Sequence, residues 1–305
     1  MPPADPPDLH LTRAARRAFP GPAALLGDPA HRERSRRYLA DLARQAGQEL
    51  PAGLFDPASG SPGQSYAEMA ETLVRELVPP DEPVDLLVLA FSGHDMLPGR
   101  ATATYLSHVC PGNPLSFAIC DQGSAAPFSG LRIAHAYAAS GDCRRAVLIA
   151  VEQAVLPYRT PTPGPARHQG VAMLYATTTV RPAAPDGNAR MTVLRQHPDV
   201  AAGDVAALAA AELATLSAGC PDARVVLGAA LAAAWPAHPT GRVTVTPPGQ
   251  PVTGLWWTLL DRTAVGAPRT GPVLAADYDP ELRYLCLVGW DDAGTPDDGR
   301  PDPGR

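Results

Sequence analysis

Residues 114–140 read PLSFAICDQGSAAPFSGLRIAHAYAAS, and this stretch decides the fold. PLSFAIC (114–120) is a short apolar strand, DQGS a tight turn, and 125–140 a helix with a small-residue start, stopped by Gly141. A strand that turns sharply into a helix presents the turn residue, Ser124, at the helix N-terminus, where unpaired N–H groups and a partial positive charge converge.

The flanking segments repeat this alternation. Upstream, SYAEMAETLVRELV (65–78) has a capping-box pattern, Ser65 with Glu68, ahead of Met69, Leu73, Val74 and Leu77 at helical spacing. VDLLVLAF (84–91) is a nearly continuous apolar run, as a strand buried on both faces requires, and 101–109 is a short helix. Downstream, RRAVLIAVEQA (144–154) is a third buried strand. Helix, strand, helix, strand, helix, strand predicts a layered α/β fold with a parallel sheet.

Further along, 170–180 and MTVLRQH read as strands, and the Ala-rich 205–219 as a helix closed by Gly219. ARVVLGAA and TGRVTVTPP read as strands, VTGLWWTLLDRTAV as a helix, and GPVLAADYDPELRYLCLVGW (271–290) as a closing hairpin. RERSRRYLADLARQAGQEL (32–50) is a charged helix, whereas residues 1–30 are Pro- and Arg-rich with weak periodicity. The expected division is a divergent N-terminal segment 1–60, a first half 61–180, a second half 181–290 and a disordered tail 291–305.

Composition narrows the function. The 305 residues are 45% hydrophobic and 18% charged, enough to bury a real core. No apolar run approaches the ~18 residues of a transmembrane helix, and no apolar stretch follows the first charges as in a secretory signal. A net charge of −6 argues against a dominant nucleic-acid surface. All 25 basic residues are arginine, so Schiff-base and P-loop lysine chemistry are excluded. Cys110, Cys120, Cys143, Cys220 and Cys286 are odd in number and widely spaced, with no CxxC pair, so neither a zinc site nor a disulfide framework is indicated. A reducing cytoplasm is the expected compartment.

From Ser65 to Ala154, and again over 273–290, the chain resembles the thiolase-fold ketosynthases, nearest the ketoacyl-acyl-carrier-protein synthase III type. The segments that carry the resemblance are SYAEMAETLV, VDLLVLAF, HDMLPG, the strand–turn–helix of 114–140 and the final VLAADYDPELRYLCLVGW. The resemblance implies an αβαβα layered fold of two pseudo-equivalent halves. It places Ser124 at the nucleophile position, seventeen residues before Gly141, where the family has cysteine. It places Gly228, after ARVVLG, at the family's histidine, and Gln250, in Gly249-Gln250, at its asparagine. The family's Cys–His–Asn set therefore reads Ser124, Gly228 and Gln250.

Serine gains far less than cysteine from a helix N-terminus and needs a neighbouring base. Ser124 is thus either an acyl relay or a helix cap. His168, in RHQG, and His238, in WPAHP, are the spare imidazoles. His94-Asp95 reads as a loop cap rather than a catalytic pair, and Cys120 as a small buried hydrophobe. Trp256 and Trp257 line an acyl tunnel or belong to the core.

Implied by the resemblance is a dimeric protein of polyketide or fatty-acid-type secondary metabolism, with no bound cofactor or metal. It is expected to be a non-condensing partner of an active ketosynthase, or else an acyltransferase acting through Ser124 on acyl-CoA or acyl carrier protein. A small-molecule binding protein on the same scaffold is the third class. No nucleic-acid or membrane partner is expected. Strand 144–154 or 114–120 is expected to pair across a two-fold interface.

Overall fold

The computed structural model describes residues 8–55, 63–97, 101–156, 164–177, 189–218, 222–262 and 271–292. The tail after 292, most of the 181–189 connection and Cys220 lie outside these. The elements run β1 (Leu9–Ala18), α1 (Pro29–Gln45), α2 (Tyr66–Leu77), β2 (Leu86–Phe91), α3 (Thr102–Val109), β3 (Leu115–Ile119), α4 (Ala126–Ser140), β4 (Arg145–Glu152) and β5 (Gln169–Thr177). They continue as β6 (Ala189–His197), α5 (Val205–Ser217), β7 (Arg224–Leu227), α6 (Ala229–Ala234), β8 (Val243–Val245), α7 (Gly254–Arg262), β9 (Val273–Asp279) and β10 (Tyr284–Asp292).

The strands form one sheet in the order β3-β2-β4-β5-β1-β6-β10-β9-β7-β8. Its halves mirror each other, because β1 to β5 take the same positions in the first five as β6 to β10 in the second. Pairing is parallel for β2 with β3 and β4, and for β7 with β8 and β9. The inner pairs, β4–β5, β5–β1, β1–β6, β6–β10 and β10–β9, are antiparallel. The sheet is therefore mixed, not parallel as the alternation predicted. Among the described residues no crossover helix joins β4 to β5 or β9 to β10, and those pairs run antiparallel.

Strand alternation sorts the side chains into layers. Leu87, Leu89, Val147 and Ile149 meet residues of α2 and α3 in one core. Leu86, Val88, Ala146 and Leu148 face the other way, onto α4 and α7, and so do Val226, Ala275, Cys286 and Val288 from the second half. Val225, Leu227, Leu274 and Leu285 pack on α5 and α6. The result is the αβαβα arrangement, with α4 and α7 in the central layer.

β1, which the weak periodicity of residues 1–30 did not reveal, lies mid-sheet between β5 and β6. Leu9 and Leu11 are buried, but the register shifts between Leu11 and Arg13, which breaks the alternation. The arginines beyond the bulge find carboxylates: Arg13 on Glu82, Arg16 on Asp261 and Arg17 on Glu76.

The capping box at Ser65 does not form, since the Ser65 side chain makes no cap hydrogen bond. Asp95 takes that place, accepting from the Tyr66 N–H at 3.2 Å. Glu68 instead accepts from the N–H groups of Ala24 and Leu25. Asp95 also accepts from the Leu97 N–H and the Gln153 amide, and burial pushes its carboxyl up to about 6.

Candidate functional site

After β3 the chain reverses through Asp121 (φ 59°) and Gly123 (φ 46°) into a 3-10 turn, Gly123–Ala125, that runs into α4. Helix α4 ends at Gly141 in the left-handed conformation (φ 84°). Ser124 is buried in the turn before α4, at 6% exposure. Its N–H donates to Asp279 Oδ2 at 3.0 Å. Glycine at 123 is required twice: the φ is positive, and a Cβ there would lie 1.8 Å from Asp279 Oδ2. The other oxygen of Asp279 accepts from the N–H groups of Glu281 and Leu282, closing the β9–β10 turn. One carboxylate thus ends β9 and occupies the N–H of Ser124.

The opposite half repeats the device. Glu152 ends β4 as Asp279 ends β9. Its carboxylate accepts from the Val252 N–H (2.8 Å), the Thr253 N–H (2.9 Å), the Thr253 hydroxyl and Gln250 Nε2 (3.0 Å). These donors precede α7, so each half's strand-end carboxylate caps the entrance to the other half's central helix. Burial raises the Glu152 carboxyl, opposed by these hydrogen bonds.

Gln250 is committed on both sides. Besides Glu152, its Nε2 reaches the Arg167 carbonyl at 3.3 Å, and its Oε1 accepts from the Arg167 N–H at 2.7 Å. Thr253 also receives a bond from Gln169 Nε2 at 2.6 Å. No donor of the Gln250 amide points to open space for a developing oxyanion.

Gly228 lies just past β7, its N–H bonded to the Ala276 carbonyl. A Cβ at 228 would lie 1.8 Å from Asp277 Oδ1 and 2.0 Å from its Cγ. The space for a side chain at this position is filled by the Asp277 carboxyl. Burial, then the charges of Asp279 and Glu152, push Asp277 up to about 8, against the hydrogen bond from the Tyr278 N–H. Among the described residues, these acids do not form a metal-holding group.

The remaining candidates are spread out. The His168 ring accepts from the Ala154 N–H at 3.2 Å, and its carbonyl accepts from the Phe19 N–H. His238 stacks edge-on against Trp235, at 6.2 Å. Trp256 has no exposed surface and packs between Phe128 (4.9 Å) and Trp290 (6.3 Å) in the central core. Trp257 is partly buried, with the Arg16 guanidinium 4.9 Å above its ring. Cys120 is exposed at the end of β3, which corrects its reading as a buried hydrophobe. Its thiol is raised by partial burial and by the neighbouring Asp121. Among the described residues, no histidine is hydrogen-bonded to Ser124, whose bond runs to Asp279.

Sequence reading missed Glu152, Asp277 and Asp279. A signal existed, since each is an acid at the end of an apolar strand, in VLIAVE and in LAADYD. Alternation puts all three on the face that looks at α4 and α7.

No family model matches the chain, and none of the curated proteins matches it. Solved structures do. A variant of OleA from Xanthomonas campestris matches with a TM-score of 0.57 and 14% identity, over 93% of this chain and 98% of that one. AbyA1, a tetronic acid condensing enzyme, matches with a TM-score of 0.59 and 16% identity, over 92% and 99%. A variant of OleA with cerulenin matches with a TM-score of 0.59 and 13% identity, over 93% and 96%. The fold is the thiolase-like one of ketosynthase III-type condensing enzymes.

Proposed function

We propose that this chain, built on the thiolase-like fold of condensing enzymes, is a non-condensing partner of an active ketosynthase in polyketide or fatty-acid-type biosynthesis. The observation that carries this reading is the bond from the Ser124 N–H to Asp279. A nucleophile at a helix N-terminus depends on the positive potential there and on free N–H groups that receive the oxyanion. Here a carboxylate neutralises the first and occupies one of the second. Gln250 is likewise spent on Glu152 and Arg167, and the space at Gly228 holds an acid. Acyl-CoA or acyl carrier protein is then the ligand of the partnership rather than a reactant on Ser124.

The test is intact-mass spectrometry after incubation with a panel of acyl-CoA and acyl-carrier-protein donors. The wild-type chain and Ser124→Ala should both keep their unmodified mass, and Cys120 should carry no acyl group. An acyl mass on the wild type that is lost in Ser124→Ala replaces the partner reading with an acyltransferase.

The open edge of the sheet fits the same role. Strand β4 lies between β2 and β5, which corrects its expected place at an interface. β3 ends the sheet, and its Leu115 is 52% exposed. An open edge with an apolar side chain invites a partner strand. Light scattering on the chain alone and co-expressed with a ketosynthase should give a dimer mass in at least one case; a soluble monomer in both contradicts the pairing. Among the described residues, no helix is long and apolar enough to cross a membrane. A cytoplasmic setting belongs to this proposal.

A further inference from the structure

Helix α1 stands apart from the sheet. Of its seventeen residues only Ser35, Leu39 and Ala43 are buried. Leu39 and Leu42 share a small core with Met96 and Leu97, beyond the end of β2, and with Val155, beyond the end of β4. Strands β2, β3 and β4 run parallel, and Ser124 follows β3. The helix therefore sits at the same end of the sheet as Ser124.

Its outer face is basic. Arg34, Arg37, Tyr38, Asp41 and Arg44 recur at helical spacing and are all exposed. The helix carries five arginines and two acids, in a chain whose net charge is −6. Glu33 is shared between Arg36 and Arg37, at 2.8 and 2.6 Å, so one carboxylate serves two guanidinium groups. Pairs this open to water hold weakly and leave the arginines able to exchange partners. Tyr38 stands among them at 52% exposure. Arginine and tyrosine are the side chains that most often anchor protein interfaces. Glu33 and Asp41 break up the positive field, and Tyr38 is the one large apolar group on the face, which suits neither a phosphate backbone nor a lipid surface. What fits is a protein surface whose carboxylates meet Arg34, Arg37 and Arg44.

We infer that the outer face of α1 docks the acidic surface of an acyl carrier protein, with Tyr38 at the centre of the contact. The identity of the carrier rests on the partner reading above; the docking face is new. Biolayer interferometry of the full chain against a panel of holo-acyl carrier proteins tests it. At least one carrier should bind wild type saturably, and raising salt from about 50 to about 300 mM should weaken that binding at least about threefold. Arg34→Glu/Arg37→Glu should bind at least about tenfold more weakly, and Tyr38→Ala at least about fivefold. Arg75→Glu/Arg242→Glu makes the same change in net charge elsewhere and should bind within about twofold of wild type. The docking face is overturned if no carrier binds, if the α1 variants bind as wild type does, or if the control pair weakens binding as much. It is also overturned if phosphatidylglycerol vesicles bind with the same dependence on Arg34 and Arg37. Circular dichroism confirms that each variant is folded. Acylation of Ser124 in the mass test would end the partner reading and leave these affinities unchanged, so the two fail separately.

Discussion

Glu152→Ala is expected to lower stability by about 4 kcal/mol. The substitution strands the Val252 and Thr253 N–H groups, the Thr253 hydroxyl and the Gln250 amide in the central layer. Each buried donor left without an acceptor costs about 1–3 kcal/mol, moderated where the loop before α7 relaxes toward water. In a chain of this size the loss corresponds to a midpoint drop of roughly 10 °C. Glu152→Gln keeps one acceptor oxygen and should lose about half as much. Thermal unfolding by circular dichroism measures both, and a shift of less than about 2 °C for the alanine variant would show that these bonds do not hold α7.

The second large effect depends on pH. Asp277 has its folded-state carboxyl pushed up to about 8, against an ordinary value of 3.8. Between these values the folded chain holds a proton that the unfolded chain has released, so stability falls as pH rises. Below about pH 4 both states are protonated and Asp277 exacts no charge penalty. The slope between them is about 1.4 kcal/mol per pH unit. Asp277→Asn keeps the shape and an acceptor for the Tyr278 N–H, but it has no proton to lose. The variant should therefore match wild type near pH 4 and exceed it by roughly 5 kcal/mol near pH 8. Urea unfolding at the two pH values checks the difference; parallel stabilities would show that Asp277 does not titrate in this way.

The sequence was most legible where one local pattern decides one element. The runs in β2 and β4, the turn into α4 and the β9–β10 hairpin are examples, because a doubly buried strand announces itself as uninterrupted Val, Leu and Ile. β1 was hidden by its bulge and its three arginines, and α6 because six residues of AALAAA carry no period. The layered fold followed from the alternation and the resemblance, but the mixed pairing did not, since strand direction depends on the connections. At the site, the positions of Ser124 and Gln250 were readable and their partners were not. Asp279 is 155 residues from Ser124, and Glu152 is 98 from Gln250. Nothing within a helix-length window links such pairs. Glu68 makes the same point, since its local pattern was overridden by two N–H groups more than forty residues away.

The exchanged carboxylates also bear on how the chain is made. During synthesis the first 180 residues leave the ribosome with α4 complete, but Asp279 is not yet polymerised. At that stage the entrance to α4 has no acceptor for Ser124, and β1 has no β6 beside it. The nascent first half must wait, with an open strand edge, for most of the second to emerge. Only when β9 arrives can both central helices close, so a ribosome stalled between the halves leaves a product prone to pair with the wrong strand.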